Sequence, residues 1–345
     1  MPFSAFRARF SRQSQPLIIL PLVLFVFGFV SEGRAQEPDE IVTTDTSVVQ
    51  LNVGVVDRQG RAVTSLSRND FAVFEDNVKQ SIQSFEPTSN PFTVVLLLDM
   101  SGSTINFRQQ LKQAAIRFLD ALEPEDHVAV IQFNAKIKML HGFSTDRKKA
   151  AYAIEIAEGV GETHFYEALR YSMVELAKQG KGRKAIVVLT DGLDTHLRNL
   201  DRAAAANAQT DEEAVAAIKP ETNSTLNSIL TSADRVGVSI FPLALPSGDP
   251  KRLPLPDPTI NGIYAAARTR LQALADRTGG DLNEIRRLDE MFRLFPVIAA
   301  NLRTLYTMSY QARADRPRDG KWRAIRVEIV NPELIARTKP GYFAK

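Results

Sequence analysis

The 345-residue chain has no cysteine, only four histidines and a single tryptophan. Without cysteine there are no disulfides, no thiol catalysis, no thiolate zinc site and no lipid-modified cysteine anchor. Histidine is scarce and never paired at helical spacing, which argues against zinc chemistry. A G-x-S-x-G elbow, a P-loop and a Gly-rich dinucleotide fingerprint are all missing, and no internal repeat is visible. Strong charge of one sign is also lacking. The net charge is +3, and residues 1–35 alone hold four Arg and one Glu, so the rest of the chain is balanced. Nucleic acid, which calls for a localised basic face, is therefore not an expected partner.

With 44% hydrophobic and 24% charged residues, the composition is that of a globular protein. Its length suits a large α/β unit plus something small. Residues 1–35 read as a secretory signal peptide. Arg7, Arg9 and Arg12 precede an apolar run over residues 16–30, and Gly33-Arg34-Ala35 supplies small residues at both cleavage-defining places. As a helix that run spans about 22 Å, short of the roughly 30 Å hydrocarbon core. Cleavage and export to the periplasm or the exterior is the expectation, and an inner-membrane anchor through residues 16–30 is the alternative. Contact with a membrane follows only if the segment stays uncleaved.

Everything downstream is organised around residues 92–104, FTVVLLLDMSGST. An unbroken run of β-formers ending in a polar turn reads as a buried strand that delivers its last residues to the edge of a sheet. Asp99, Ser101 and Ser103 alternate there as D-x-S-x-S. One carboxylate and two hydroxyls form a hard-oxygen set suited to Mg²⁺, Mn²⁺ or Ca²⁺. The same residues equally suit capping of the next helix. Two distant segments supply more oxygen. Thr163 stands where a loop enters a helix, and Asp191 ends the apolar strand 184–190. If strands 93–98 and 184–190 are parallel neighbours, Asp99, Ser101, Ser103, Thr163 and Asp191 converge.

Strands and helices alternate from residue 92 to residue 303, with strands at 127–133, 238–245 and 281–285 and helices at 107–122, 146–158, 226–235, 264–277 and 288–303. Residues 136–141 read as a hairpin partner of the second strand. This order specifies an α/β fold with a doubly wound, mostly parallel sheet. Two insertions interrupt it. Residues 197–221 are Ala-rich and acidic, either helical or loop, and the proline-rich residues 246–258 read as an extended surface loop. Either can overhang the sheet edge. Residues 46–90 and 304–345 instead show period-two alternation, as in VVQLNVGVV and around Ile325, Val327 and Ile329. The expected organisation is a signal peptide over 1–35, sandwich strands over 46–90, an α/β domain over 91–303 and strands completing the sandwich over 304–345.

DMSGS at 99–103, Thr163 ahead of FYEAL, and LTDG ending at 192 together resemble the von Willebrand factor type A family and its metal-ion-dependent adhesion site. The resemblance covers about residues 92–303, and the flanking strands with the closing KPGY look like an exported subgroup described from acidobacteria. It implies Mg²⁺, replaceable by Mn²⁺ or Ca²⁺, held by Asp99, Ser101, Ser103 and Thr163, with Asp191 bound directly or through water. It also implies a partner protein whose Asp or Glu completes the coordination sphere, no catalysis, and displacement of the last helix between two states. Neutral hydroxyls leave part of the cation's charge uncompensated, so an incoming carboxylate is attracted. Glu162 departs from the pattern, standing where relatives often have Gly. It either points into the site or faces water. The alternatives are a phosphohydrolase-like enzyme using Asp99, a metal-free scaffold, and a zinc site from His164, His196 and Asp194. The enzyme reading lacks a second acid, because Ser101 occupies its place.

Overall fold

The computed structural model describes residues 48–180, 182–246, 257–287, 290–312 and 319–344. The expected signal segment and most of the proline-rich stretch lie outside the described residues. Alternation dictates the first strands. In β1 (Val48–Val56), Val49, Leu51, Val53 and Val55 are buried on one face, as period two requires. β2 (Phe71–Glu75) and β3 (Val78–Gln80) follow, joined by Asp76 and Asn77 at positive φ, the conformation of a tight two-residue hairpin. β4 (Ile82–Glu86) leads into the long apolar β5 (Phe92–Asp99).

From there the chain alternates. A 3-10 turn at Gly102–Phe107 precedes α1 (Arg108–Asp120), then come β6 (His127–Phe133), β7 (Ile137–Ser144), α2 (Arg147–Glu155), α3 (Phe165–Ala177) and β8 (Arg183–Thr190). α4 (Thr195–Ala204), α5 (Asp211–Ile218), α6 (Ser224–Val236), β9 (Val238–Ala244), α7 (Pro258–Thr278), β10 (Asn283–Glu284) and α8 (Met291–Arg303) complete this part. The central sheet runs β10-β9-β8-β5-β6-β7, parallel throughout except for β7, which is antiparallel to β6. β5 explains why its sequence does not alternate. Val94, Leu96 and Leu98 enter a core shared with α1, α2 and α8, whereas Val95 and Leu97 enter one shared with α3, α6 and α7. A strand covered on both faces has no polar side.

One expectation about the helices needs correction. The helix expected over 264–277 starts earlier, because residues 258–263, of which 258 was read as loop, already belong to α7. Asp257 caps it by accepting from Thr259 N and Ile260 N, and Pro258 occupies the first helical position, where its missing N–H costs nothing. Of the last helix, expected over 288–303, α8 accounts for Met291–Arg303 and continues through an internal Pro296, and residues 288–289 lie outside the described residues. The Ala-rich insertion is helical, and α5 packs so closely on α7 that a Cβ on Gly262 would stand 2.4 Å from the Ala214 Cβ.

α8 passes through Thr304 into β11 (Leu305–Gln311), followed by β12 (Trp322–Ile329), β13 (Ile335–Arg337) and β14 (Gly341–Phe343). These strands pair with those of the N-terminal part in two four-stranded sheets, β13-β1-β11-β4 and β14-β12-β2-β3. Their inward residues, among them Leu51, Val53, Phe71, Val73, Tyr306, Met308 and Ile325, form a third core. Residues 335–343 supply two short strands. β13 joins β1 and β14 joins β12, so the chain crosses between sheets at residues 338–340. Pro340 has no amide for a ladder, which favours a break there.

Candidate metal centre

β5 ends in Asp99, whose side chain is fully buried. The next residue is held to the neighbouring strand, since Met100 N donates to Phe133 O at 2.8 Å. The chain then folds back on the carboxylate. Ser101 N donates to Asp99 Oδ1 at 3.0 Å, and Thr104 Oγ1 donates to the carbonyls of Asp99 and Ser101 at 2.9 and 3.0 Å. Thr104 thereby ties the turn to the end of β5 through these carbonyls. Ser101 stands at the N-cap of the 3-10 turn yet makes no side-chain cap, and its hydroxyl lies 3.2 Å from that of Ser103. Arg108, from the start of α1, donates to Met100 O and Ser101 O at 3.1 and 3.3 Å, fixing the turn from outside.

β8 pairs with β5 in parallel, Leu98 opposite Leu189, so both strands end at the same edge. Thr190 Oγ1 donates to Asp99 Oδ2 at 2.7 Å and accepts from Gly192 N at 3.0 Å. Asp191 follows, fully buried, its Oδ1 accepting from Leu193 N at 3.0 Å. Burial first, and then the negative charge of Asp191, push the Asp99 carboxyl up to about 7. Gly192 has φ +80, and a Cβ there would lie 2.8 Å from Leu271 Cδ1. Only glycine meets both conditions without strain. Arg268 from α7 donates to Asp191 O at 2.7 Å and to Leu245 O at 2.6 Å, tying this turn to the end of β9.

The third segment, residues 158–164, is strapped against the first. Gly102 N donates to Gly161 O at 3.0 Å, Gln132 exchanges hydrogen bonds with the backbone of Glu158, and Asn134 Nδ2 donates to Val160 O at 2.9 Å. A Cβ on Gly159 would come within 2.6 Å of Met100 O. Thr163 is pinned at both backbone atoms: its N–H donates to Thr195 Oγ1 and its carbonyl accepts from Thr195 N, each at 2.9 Å. Asp99, Ser101 and Ser103 therefore share one turn, Asp191 lies within electrostatic reach of Asp99, and the Thr163 segment is bonded to both loops. Ser103 is exposed and Thr163 is 6% exposed, which gives the set an open side.

Two buried carboxylates of like charge beside three hydroxyls fit a hard divalent cation, whose charge would offset the cost of burying both acids. They do not fit zinc. Among the described residues no three His, Asp or Glu side chains form a metal-holding group. Asp194 is fully engaged by backbone amides, accepting from Phe165, Tyr166, His196 and Leu197. His164 lies between two exposed carboxylates, 3.3 Å from Glu162 and 3.4 Å from Glu167. Glu162 thus faces solvent. Sequence reasoning missed Thr190, Thr195 and Arg108. Thr190 had a signal, since it immediately precedes Asp191 on a strand expected beside β5.

The sequence model of the von Willebrand factor type A domain matches residues 94–193. A stretch of 110 residues is 34% identical to the uncharacterized protein sll0103 of Synechocystis sp. (strain ATCC 27184 / PCC 6803 / Kazusa), covering 31% of this chain and 26% of that protein. Among solved structures, the vWF domain of the type V pili tip protein Mfa5 from Porphyromonas gingivalis gives a TM-score of 0.45 at 16% identity. It covers 61% of this chain and 95% of its own. A von Willebrand factor type A structure from Catenulispora acidiphila gives 0.44 at 15% identity, covering 87% of this chain and 64% of its own. The sequence match reaches the family and no subgroup within it. It runs from β5 to just beyond Asp191, so it is this segment, residues 94–193, that matches a von Willebrand factor type A domain.

Proposed function

We propose that the chain is an exported, non-catalytic module that binds a partner protein through a divalent cation at the β5/β8 edge. Asp99, Ser101, Ser103 and Thr163 hold Mg²⁺, or Mn²⁺ or Ca²⁺ in its place, and Asp191 binds it directly or through water. The bound cation supplies an open coordination position for an Asp or Glu carboxylate of the partner. The observation that carries this reading is the burial of Asp99 beside Asp191, with the hydroxyls of Ser101 and Ser103 left over from capping. Domains of this family are in general interaction modules. No second acid stands two residues after Asp99, as a phosphohydrolase-like reaction would need.

The two antiparallel sheets serve in this reading as the platform on which the α/β part is carried, and the segment 1–35 as its export signal. Among the described residues no helix is long and apolar enough to cross a membrane. Titration calorimetry of Mg²⁺ and Mn²⁺ into the chelator-treated protein, beside Asp99→Ala, tests the core of the proposal. Heat of binding in the wild type alone is the expected result. Equal binding by both proteins places the metal elsewhere, and no binding by either leaves the scaffold reading.

A further inference from the structure

Thr163 and Asp191 are far apart in sequence and lie on different loops, so something must set their separation. Cation binding is sensitive to this, because metal–oxygen distances are fixed to a few tenths of an ångström and supporting groups hold the ligands there. The structure assigns that task to Asp194 and Thr195, an inference that rests on the metal reading above. Asp194 caps α4 in the ordinary way, its Oδ1 accepting from His196 N and Leu197 N at 3.0 and 3.2 Å. Its other oxygen serves a different helix. Oδ2 accepts from Phe165 N at 2.9 Å and lies 3.5 Å from Tyr166 N, the first two residues of α3. The residue at the N-cap of α3, His164, makes no capping bond of its own.

One carboxylate, 8% exposed, therefore closes two helix N-termini at once, where negative charge is also favoured by both helix dipoles. Thr195 completes the joint through its two bonds to the backbone of Thr163. Both backbone groups of Thr163 are thereby fixed, while its hydroxyl makes no hydrogen bond among the described residues. Asp194 stands three residues after Asp191, and Phe165 two after Thr163. Any shift between the two loops must break bonds at this joint. Asp194 and Thr195 are thus positioning residues: they register the Thr163 loop against the Asp191 loop without belonging to the proposed ligand set.

The test measures Mn²⁺ affinity and melting temperature on the full chain for four variants. Asp194→Asn removes one of the acceptors, Thr195→Val removes the hydroxyl, and Thr195→Ser retains it. Asn223→Ala removes the N-cap of α6, which accepts from Thr225 N and Leu226 N and belongs to neither loop. Asp194→Asn and Thr195→Val are expected to weaken Mn²⁺ binding by about 10- to 100-fold, the usual effect of removing a group that orients a metal ligand. Thr195→Ser should restore binding to near the wild-type value. Asn223→Ala should lower the melting temperature and leave Mn²⁺ affinity unchanged. Hydrogen exchange without metal should show Thr163 and Phe165 losing protection together with Leu197 in Asp194→Asn. If the wild type binds Mn²⁺ and Asp194→Asn binds it equally well, the inference is overturned alone. A wild type without Mn²⁺ affinity overturns the metal reading and the inference with it.

Discussion

Asp99 carries the largest electrostatic liability at the sheet edge, and its consequences can be measured without a partner. Its ordinary carboxyl value of 3.8 is raised to about 7 in the folded protein by burial and by Asp191. Between these values the folded, metal-free chain keeps a proton that the unfolded chain has lost, so this group makes stability fall as pH rises from about 4 to about 7 and level off above. Asp99→Asn abolishes the effect. In chelator, the variant's advantage over wild type in urea unfolding should be small near pH 4, grow towards pH 7 and then stay constant. Adding Mn²⁺ at about a hundred times its Kd should stabilise the wild type by about 2.7 kcal/mol and leave the variant unchanged. Gly192 is the second sensitive position. With φ +80 and Leu271 Cδ1 2.8 Å from an added Cβ, Gly192→Ala should cost about 1–3 kcal/mol in the same assay.

Among elements, α4 and α7 are joined by a buried ion pair that the sequence did not announce. Arg270 donates to both oxygens of Asp201 at 2.6 and 2.7 Å, with the two side chains 3% and 6% exposed. Removing one partner strands a buried charge, so Asp201→Leu alone should destabilise by about 3–5 kcal/mol. Asp201→Leu combined with Arg270→Met leaves neither charge behind. The double variant should therefore be more stable than either single one, as a thermal-melt series would reveal. α4 is also the helix that Asp194 caps, so loosening its far end bears on the same helix that the metal loops depend on.

At the scale of the whole molecule, one guanidinium sits where the chain passes between the antiparallel sheets and the α/β part. Arg183, the first residue of β8 and fully buried, donates to the carbonyls of Thr88 and Asn90 on the outward passage. It also donates to those of Leu302 and Leu305 on the return, at 2.5–2.8 Å. Its guanidinium also lies 3.8 Å from the centre of the Phe92 ring. Close by, Asp126 accepts from Phe92 N at 2.8 Å and pairs with Arg303 at the end of α8. Arg183→Met leaves four carbonyls short of a donor. It should lower stability by about 3 kcal/mol or more. It should also broaden the denaturant transition as the two parts lose their coupling, detectable by comparing Trp322 fluorescence with far-ultraviolet circular dichroism.

Much of this was legible in the residues because it depends on local chemistry. Period-two runs specified the outer strands, and the run FTVVLLLD specified a strand buried on both faces. D-x-S-x-S and TDG marked the ends of β5 and β8 as oxygen-rich. The early start of α7 was missed because prolines dominate that stretch and hide a helix whose first residue is itself a proline. Asp194 entered the alternative zinc reading, since the sequence cannot show that four amides already surround its carboxylate.

Periodicity and turn chemistry act over neighbouring positions, so the residues alone specified the type and order of most elements and the identity of the oxygen-bearing side chains. Which loops meet was left to the tertiary fold, and with it the raising of Asp99 by Asp191 and the closing of two helices by Asp194. These outcomes rest on contacts between segments distant in sequence. Their distances are fixed only once the parallel pairing of β5 with β8 has brought both strand ends to one edge.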